Sequence, residues 1–101
     1  MSSTGDAVTA IDNTVEHRFE ATVEGYKAQL VYRHDGERLV LVHTGVPDEL
    51  GGRGIGGQLV EAAVEAAVAG DLSVVPECPF ARSWLRKHPK VAGRVKIDWK
   101  E

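Results

Sequence analysis

The chain has 101 residues, of which 43% are hydrophobic and 27% charged, with a net charge of −3. That length is one small domain, and the composition is that of an ordinary globular protein. Together they exclude a disordered tail, a collagen-like repeat, a two-domain enzyme and a membrane channel, and the net acidity argues against a dedicated nucleic-acid binder.

Residues 1–13 are small and polar without periodicity, so a flexible N-terminal segment is expected, with one domain over 14–101. They also lack the basic start and apolar core of a signal peptide. Alternation then begins. Val15, His17, Phe19 and Ala21 fall on one side and Glu16, Arg18 and Glu20 on the other, a period of two that predicts a strand. Glu24-Gly25 is a turn. Tyr26, Ala28, Leu30 and Tyr32 alternate against Lys27, Gln29 and Arg33, predicting a second strand. Asp35-Gly36 is a hairpin signal. Arg38 to Val46 forms a third strand in which Leu39, Val40, Leu41 and Val42 are all apolar, as in a central strand covered on both faces. Pro47 ends it.

A glycine-rich turn, Gly51-Gly52-Arg53-Gly54-Ile55-Gly56-Gly57, leads into an Ala-rich helix over roughly 55–69, stopped by Gly70. Leu72 to Val75 is a short apolar strand. Phe80 to His88 reads as a second helix, with Phe80, Ala81, Trp84, Leu85 and His88 inward and Arg82, Arg86 and Lys87 outward. Pro89 stops it. Val95, Ile97 and Trp99 alternate with Lys96, Asp98 and Lys100, predicting a last strand near an edge. The order is β-β-β-α-β-α-β, a mixed α/β (α+β) sheet that opens as an antiparallel meander.

Four glycines in the six residues 52–57 sit between a strand and a helix. Glycine lets backbone N–H groups converge without side chains in the way. The helix that follows leaves its first N–H groups unpaired and favours an anion there. A phosphate or pyrophosphate is the natural occupant, with Arg53 adding a charge-assisted contact. The alternative is a tight structural connection. Charge distribution fits a phosphate-rich ligand near the C-terminal segment: residues 1–76 hold five Lys+Arg against twelve Asp+Glu, net −7, and residues 77–101 hold seven against three, net +4. A solvated basic surface would read the same way. The Walker A pattern fails, because no Lys-Ser/Thr pair follows the glycines. Gly52-x-Gly54-x-x-Gly57 matches the dinucleotide fingerprint, but an antiparallel meander precedes it and too little chain follows.

A meander followed by Arg/Gln-x-x-Gly-x-Gly/Ala at a helix start resembles the acetyl-coenzyme A signature of the GNAT N-acetyltransferases, over roughly residues 14–100. The chain is most similar to a minimal single-domain subgroup. The residues that carry this are His43-Thr44, Val46-Pro47, Gly51 to Gly57, Pro76-Glu77-Cys78-Pro79-Phe80 and His88-Pro89. Two positions depart from the pattern: Gly51 stands at the Arg/Gln position, and Gly45 stands where an acid is expected after His43-Thr44. The resemblance implies acetyl-CoA as cosubstrate, held by Thr44, Val46, Gly52, Arg53, Gly54, Ile55, Gly56 and Gly57. It also implies transfer of the acetyl group to an amine, with an open acceptor site that admits a protein side chain. The alternative is a non-catalytic acyl-CoA-binding or interaction module.

By the same resemblance Cys78 lies near the acetyl group, where strands splay apart. It would accept the acetyl group or reprotonate the departing thiolate; a small buried hydrophobe is the plainer reading. His43 is the candidate base or a hydrogen-bonded strand end. His88 is read as packing, and His17 and His34 as exposed. Trp84 and Trp99 are read as core, with contact to an acyl chain or adenine as the alternative. The single cysteine excludes an intramolecular disulfide, and no spacing of ligand residues suggests a metal. No apolar run reaches the ~20 residues of a membrane helix. A cytoplasmic protein is expected, a monomer or a weak dimer through the Val95–Trp99 edge.

Overall fold

The computed structural model describes residues 9–99. Five strands form one sheet in sequence order: β1 (Ile11–Asn13), β2 (Arg18–Val23), β3 (Tyr26–Asp35), β4 (Arg38–Gly45) and β5 (Ser73–Pro76). The first four are antiparallel neighbours, and β5 joins β4 in parallel. The parallel step requires a crossover. It is supplied by a short 3-10 turn (Asp48–Leu50) and the helix α1 (Ile55–Ala69). Two further helices follow β5: α2 (Pro79–Lys87) and the single turn α3 (Pro89–Ala92).

The expected meander, its two turns and the first helix stand where the pattern places them. Alternation puts Phe19 and Ala21 of β2, Ala28, Leu30 and Tyr32 of β3, and Leu39 and Leu41 of β4 on one face, all buried. Helix α1 meets that face with Ile55, Leu59, Val60, Ala63, Val64 and Ala67, and α2 adds Ala81 and Leu85. Gly70 closes α1, its N–H donating to the Ala66 carbonyl at 3.0 Å.

Four expectations change. The segment 1–13 was expected to be frayed; residues 1–8 lie outside the described ones, but Ile11–Asn13 forms β1 on β2. The Tyr32 hydroxyl donates to Asp12 Oδ1 at 2.6 Å and ties β1 to β3 across the sheet. Burial, then that hydrogen bond and the Asp12 charge, push the Tyr32 phenol up to about 12. Val15 and His17 leave the expected strand: residues 14–17 turn, with His17 at φ +57° and Val15 85% exposed.

The third change concerns β4, which is apolar on both faces without being covered on both. The core packs against one face only, and Val31, Val40, Val42 and Val75 lie outside it. Val40 is nonetheless buried. Arg33, its cross-strand partner, reaches over β4 to an ion pair with Glu77 beyond β5 at 3.4 Å. The arginine stem and its carboxylate partner thus stand where a second layer of helices would.

The fourth change is at the C-terminus. Val95–Trp99 is not a regular strand; it meets β5 through one bridge, Ile97 to Val74. The added turn α3 and the glycine at 93 consume the chain that a longer strand would need. Trp99 is 36% exposed rather than core, under the Arg86 guanidinium at 5.1 Å, while Arg82 donates to its carbonyl at 3.3 Å. So Arg82 and Arg86, expected as a solvated face, hold down the C-terminal segment.

Candidate functional site

Parallel pairing of β4 with β5 ends at Leu41 and Pro76. The chain after β5 makes a tight turn, Glu77 N–H to the Val75 carbonyl at 3.1 Å, and Cys78 N–H donates to the Leu41 carbonyl at 2.9 Å. Strand β4 continues to Gly45. Among the described residues, its residues 42–45 therefore have β3 on one side and no strand on the other, a splay between neighbouring strands. A bulge assists: the register shifts between Val31 and Tyr32, so two β4 steps oppose one on β3.

Cys78 is the N-cap of α2, with Pro79 next. It is buried, 3% exposed, and its sulfur lies 3.2 Å from the Thr44 hydroxyl. The two residues singled out from the sequence on separate segments thus meet at the root of the splay. Thr44 opposes Leu30 in register and so points to the helix side. His43, one residue earlier, opposes Val31 and points to the uncovered side, exposed. The structure therefore does not bring His43 and Cys78 together; they flank β4 from opposite faces. Gly45 shares the His43 side, and a Cβ there would stand 3.6 Å from His43 Nε2. An acid at this position would sit beside the imidazole, and glycine leaves that space open.

The glycines divide by role. Gly52 and Gly54 have φ of +81° and +74°, with nothing within 4 Å of where a Cβ would be. They serve the backbone path, and Gly54 is the left-handed N-cap of α1. Gly56 and Gly57 are buried in the first turn of α1 for a different reason. A Cβ on Gly56 would stand 2.8 Å from Phe80 Cζ, and one on Gly57 would stand 2.2 Å from Trp84 Nε1. Two aromatic rings from α2 press on the start of α1, and where they stand only glycine fits without a shift of the ring. In sequence all four read alike as an anion cradle.

The N-terminal turn of α1 still presents free donors. Its first helical bond is Gln58 N–H to the Gly54 carbonyl at 3.1 Å, so helix geometry leaves the N–H groups of Ile55, Gly56 and Gly57 facing outward. They open onto a groove of about 310 Å³ lined by Val46, Leu50, the glycine turn, Phe80 and Trp84. Arg53 points elsewhere. Its guanidinium makes a two-point ion pair with Glu24 of the β2–β3 turn, both contacts 3.2 Å.

The second helix adds features that helical spacing alone suggested wrongly. Phe80 and His88, expected inward, are exposed, and Trp84 is half-buried. With Trp84 they form a row at i, i+4 and i+8, of which Phe80 and Trp84 line the groove at the glycine turn. The 80–84–88 spacing marks the row in the sequence, but it faces a groove and solvent rather than the core.

The site fits a coenzyme A thioester on three counts: a mostly apolar groove, outward N–H groups at a helix start for a pyrophosphate, and an open strand edge leading to Cys78 and Thr44. Among the described residues no helix is long and apolar enough to cross a membrane.

The chain is 38% identical over 64 residues to protein NATD1 of Gallus gallus, a match that covers 62% of this chain and 58% of the relative. The Mus musculus protein gives the same values. The match thus spans little more than half the length of these relatives. A GCN5-like protein of Staphylococcus aureus, solved in solution by NMR, superposes with a TM-score of 0.69 and 28% identity over 98% of this chain and 94% of that one. The sequence model of the GCN5-related N-acetyltransferases matches residues 18–94, and this chain belongs to that family.

Proposed function

We propose that the protein binds acetyl-CoA and transfers its acetyl group to an amine presented on the uncovered face of the sheet. The observation that carries this reading is the contact of Thr44 with Cys78 at the root of the β4–β5 splay, in line with the outward N–H groups of α1. Bound acetyl-CoA supplies an acetyl group activated as a thioester. The amides of residues 52–57 bind its pyrophosphate, and Val46 and Phe80 line the path to the splay. Thr44 orients the Cys78 thiol through its hydroxyl.

Two proton transfers complete the assignment. His43, exposed on the far side of β4, takes the proton from the incoming amine at an imidazole nitrogen. The Cys78 S–H donates to the leaving sulfur and is restored from water. Placement on opposite faces of one strand suits these roles: at the open edge of β4 the amine adds to the thioester carbonyl from the His43 side, and the thiolate expelled from the tetrahedral adduct is protonated from the Cys78 side. With no second helical layer on the His43 side among the described residues, a flat or bulky acceptor such as a protein side chain is admitted.

The test has two parts. Thermal melting is run with acetyl-CoA, coenzyme A and NAD in parallel. A ligand at ~100 times its dissociation constant adds about 2.7 kcal/mol, and each kcal/mol moves the midpoint by about 4–8 °C at this size. Both coenzyme A species should shift it and NAD should not. Thiol release with amines should then fall in His43→Ala and Cys78→Ala while binding persists. Binding without any release in the presence of amines and exposed-lysine proteins supports the second reading, an acyl-CoA-binding module, which the glycine at position 45 favours. A stable gain of one acetyl mass that Cys78→Ala abolishes would mean that Cys78 accepts the acetyl group itself.

A further inference from the structure

We infer that the exposed imidazole of His88 is a stacking platform for the adenine ring of coenzyme A, an inference that rests on the binding reading above. His88 ends α2 and is exposed, a position where a side chain normally rotates freely. Here two contacts hold it. Its ring lies on the Trp84 indole with centroids 3.8 Å apart and planes 13° apart. Its Nδ1 is 2.7 Å from the Trp84 backbone carbonyl. A carbonyl only accepts, so Nδ1 carries the hydrogen and the tautomer is set. One face of the ring is covered by Trp84, and the residue is nonetheless exposed. A flat, oriented, half-covered aromatic ring is what a base stacks on.

The order of groups along α2 places this ring at the correct end. Cys78 caps the start of the helix beside the strand splay. Phe80 and Trp84 then face Gly56 and Gly57, beside the N–H groups assigned to the pyrophosphate. His88 follows Trp84 by one turn, about 6 Å along the axis. Coenzyme A is laid out in the same order: thioester, pantetheine, pyrophosphate, nucleoside. With its thioester at Cys78 and its pyrophosphate at the middle of α2, its nucleoside is directed toward the C-terminal end, where the stacked pair ends in an open ring.

Calorimetric titration compares coenzyme A with pantetheine, which lacks the nucleotide, on the wild type, His88→Ala and His88→Phe. His88→Ala should weaken coenzyme A by about 5- to 100-fold, the range of one lost base–aromatic stack, and leave pantetheine unchanged. His88→Phe should restore most of the loss. In the wild type, NMR should show the His88 ring protons moving upfield with coenzyme A and not with pantetheine. Equal weakening of both ligands, or no change for coenzyme A, overturns the inference while the binding reading stands. Failure of the folded wild type to bind coenzyme A at all overturns both.

Discussion

Gly57→Ala is a substitution whose sign separates two physical effects. Helix propensity alone favours alanine by up to ~1 kcal/mol. The structure opposes it: the new Cβ would stand 2.2 Å from Trp84 Nε1, 2.8 Å from Cε2 and 3.0 Å from Cδ1. The clash is with the five-membered ring of an indole that is stacked with His88, and not with the tip of a flexible chain. The ring must move by more than an ångström, which strips its contacts with α1. Overpacking of this kind costs about 1–3 kcal/mol. The propensity gain offsets part of it, leaving a net loss of about 1–2 kcal/mol and a midpoint lower by roughly 5–15 °C. Urea and thermal denaturation read it directly. A Trp84→Ala background removes the obstacle, so there the same Gly57→Ala change should stabilise. A stabilising effect in the wild-type background would refute the packing of Trp84 on Gly57.

Gly56→Ala should cost less, within about 1 kcal/mol of neutral, because its obstacle is the far end of the exposed Phe80 ring, which can swing into solvent; parallel melts check this. Glu24→Gln should release Arg53 to reach the glycine turn, strengthening coenzyme A binding by about 2- to 5-fold with stability changed by less than ~1 kcal/mol, the scale of an exposed ion pair, as calorimetry would show. Tyr32 predicts alkaline lability. Its phenol is raised to about 12 in the fold, against ~10 in the unfolded chain. The neutral form is thus favoured by folding, and this contribution is complete below pH 10 and lost as pH rises toward 12. The span of two pH units is worth about 2–3 kcal/mol. Urea unfolding from pH 9 to 12 should show the loss in the wild type and not in Tyr32→Phe. Cys78, 3% exposed and paired with Thr44, should react with a thiol reagent only slowly in the native state and at once in urea.

Much of this architecture was legible because alternation and turn chemistry are local. Phe19, Ala21, Ala28, Leu30 and Tyr32 announce their face by period two, and Pro47 and Gly70 end their elements for reasons of their own backbone. What escaped reading is set by contacts between distant segments. Ile11–Asn13 has no strand pattern and is held by β2 and by one hydrogen bond from Tyr32. Val40 is buried on the face without helices, and the ion pair between residues 33 and 77 that accompanies it lies in no local window. The amphipathic face of α2 suggests burial for Phe80 and His88, yet Phe80 lines an open groove at the glycine turn and His88 lies exposed on the Trp84 ring. The glycines of 52–57 were visible as a cluster, yet their division into backbone and packing roles required the positions of Phe80 and Trp84. Arg53 is expected to contact a phosphate because nothing in the sequence links it to Glu24, 29 residues away.

The central claim is that the glycine turn and the β4–β5 splay form one continuous site for a coenzyme A thioester. The most direct measurement is a titration of the isotope-labelled protein with acetyl-CoA, followed through its backbone amide resonances. The account predicts that the amides of 52–57 and those of Thr44 and Cys78 shift together along one saturable curve, and that NAD leaves them in place. Shifts confined to another surface, or an unchanged spectrum at millimolar acetyl-CoA, would contradict it.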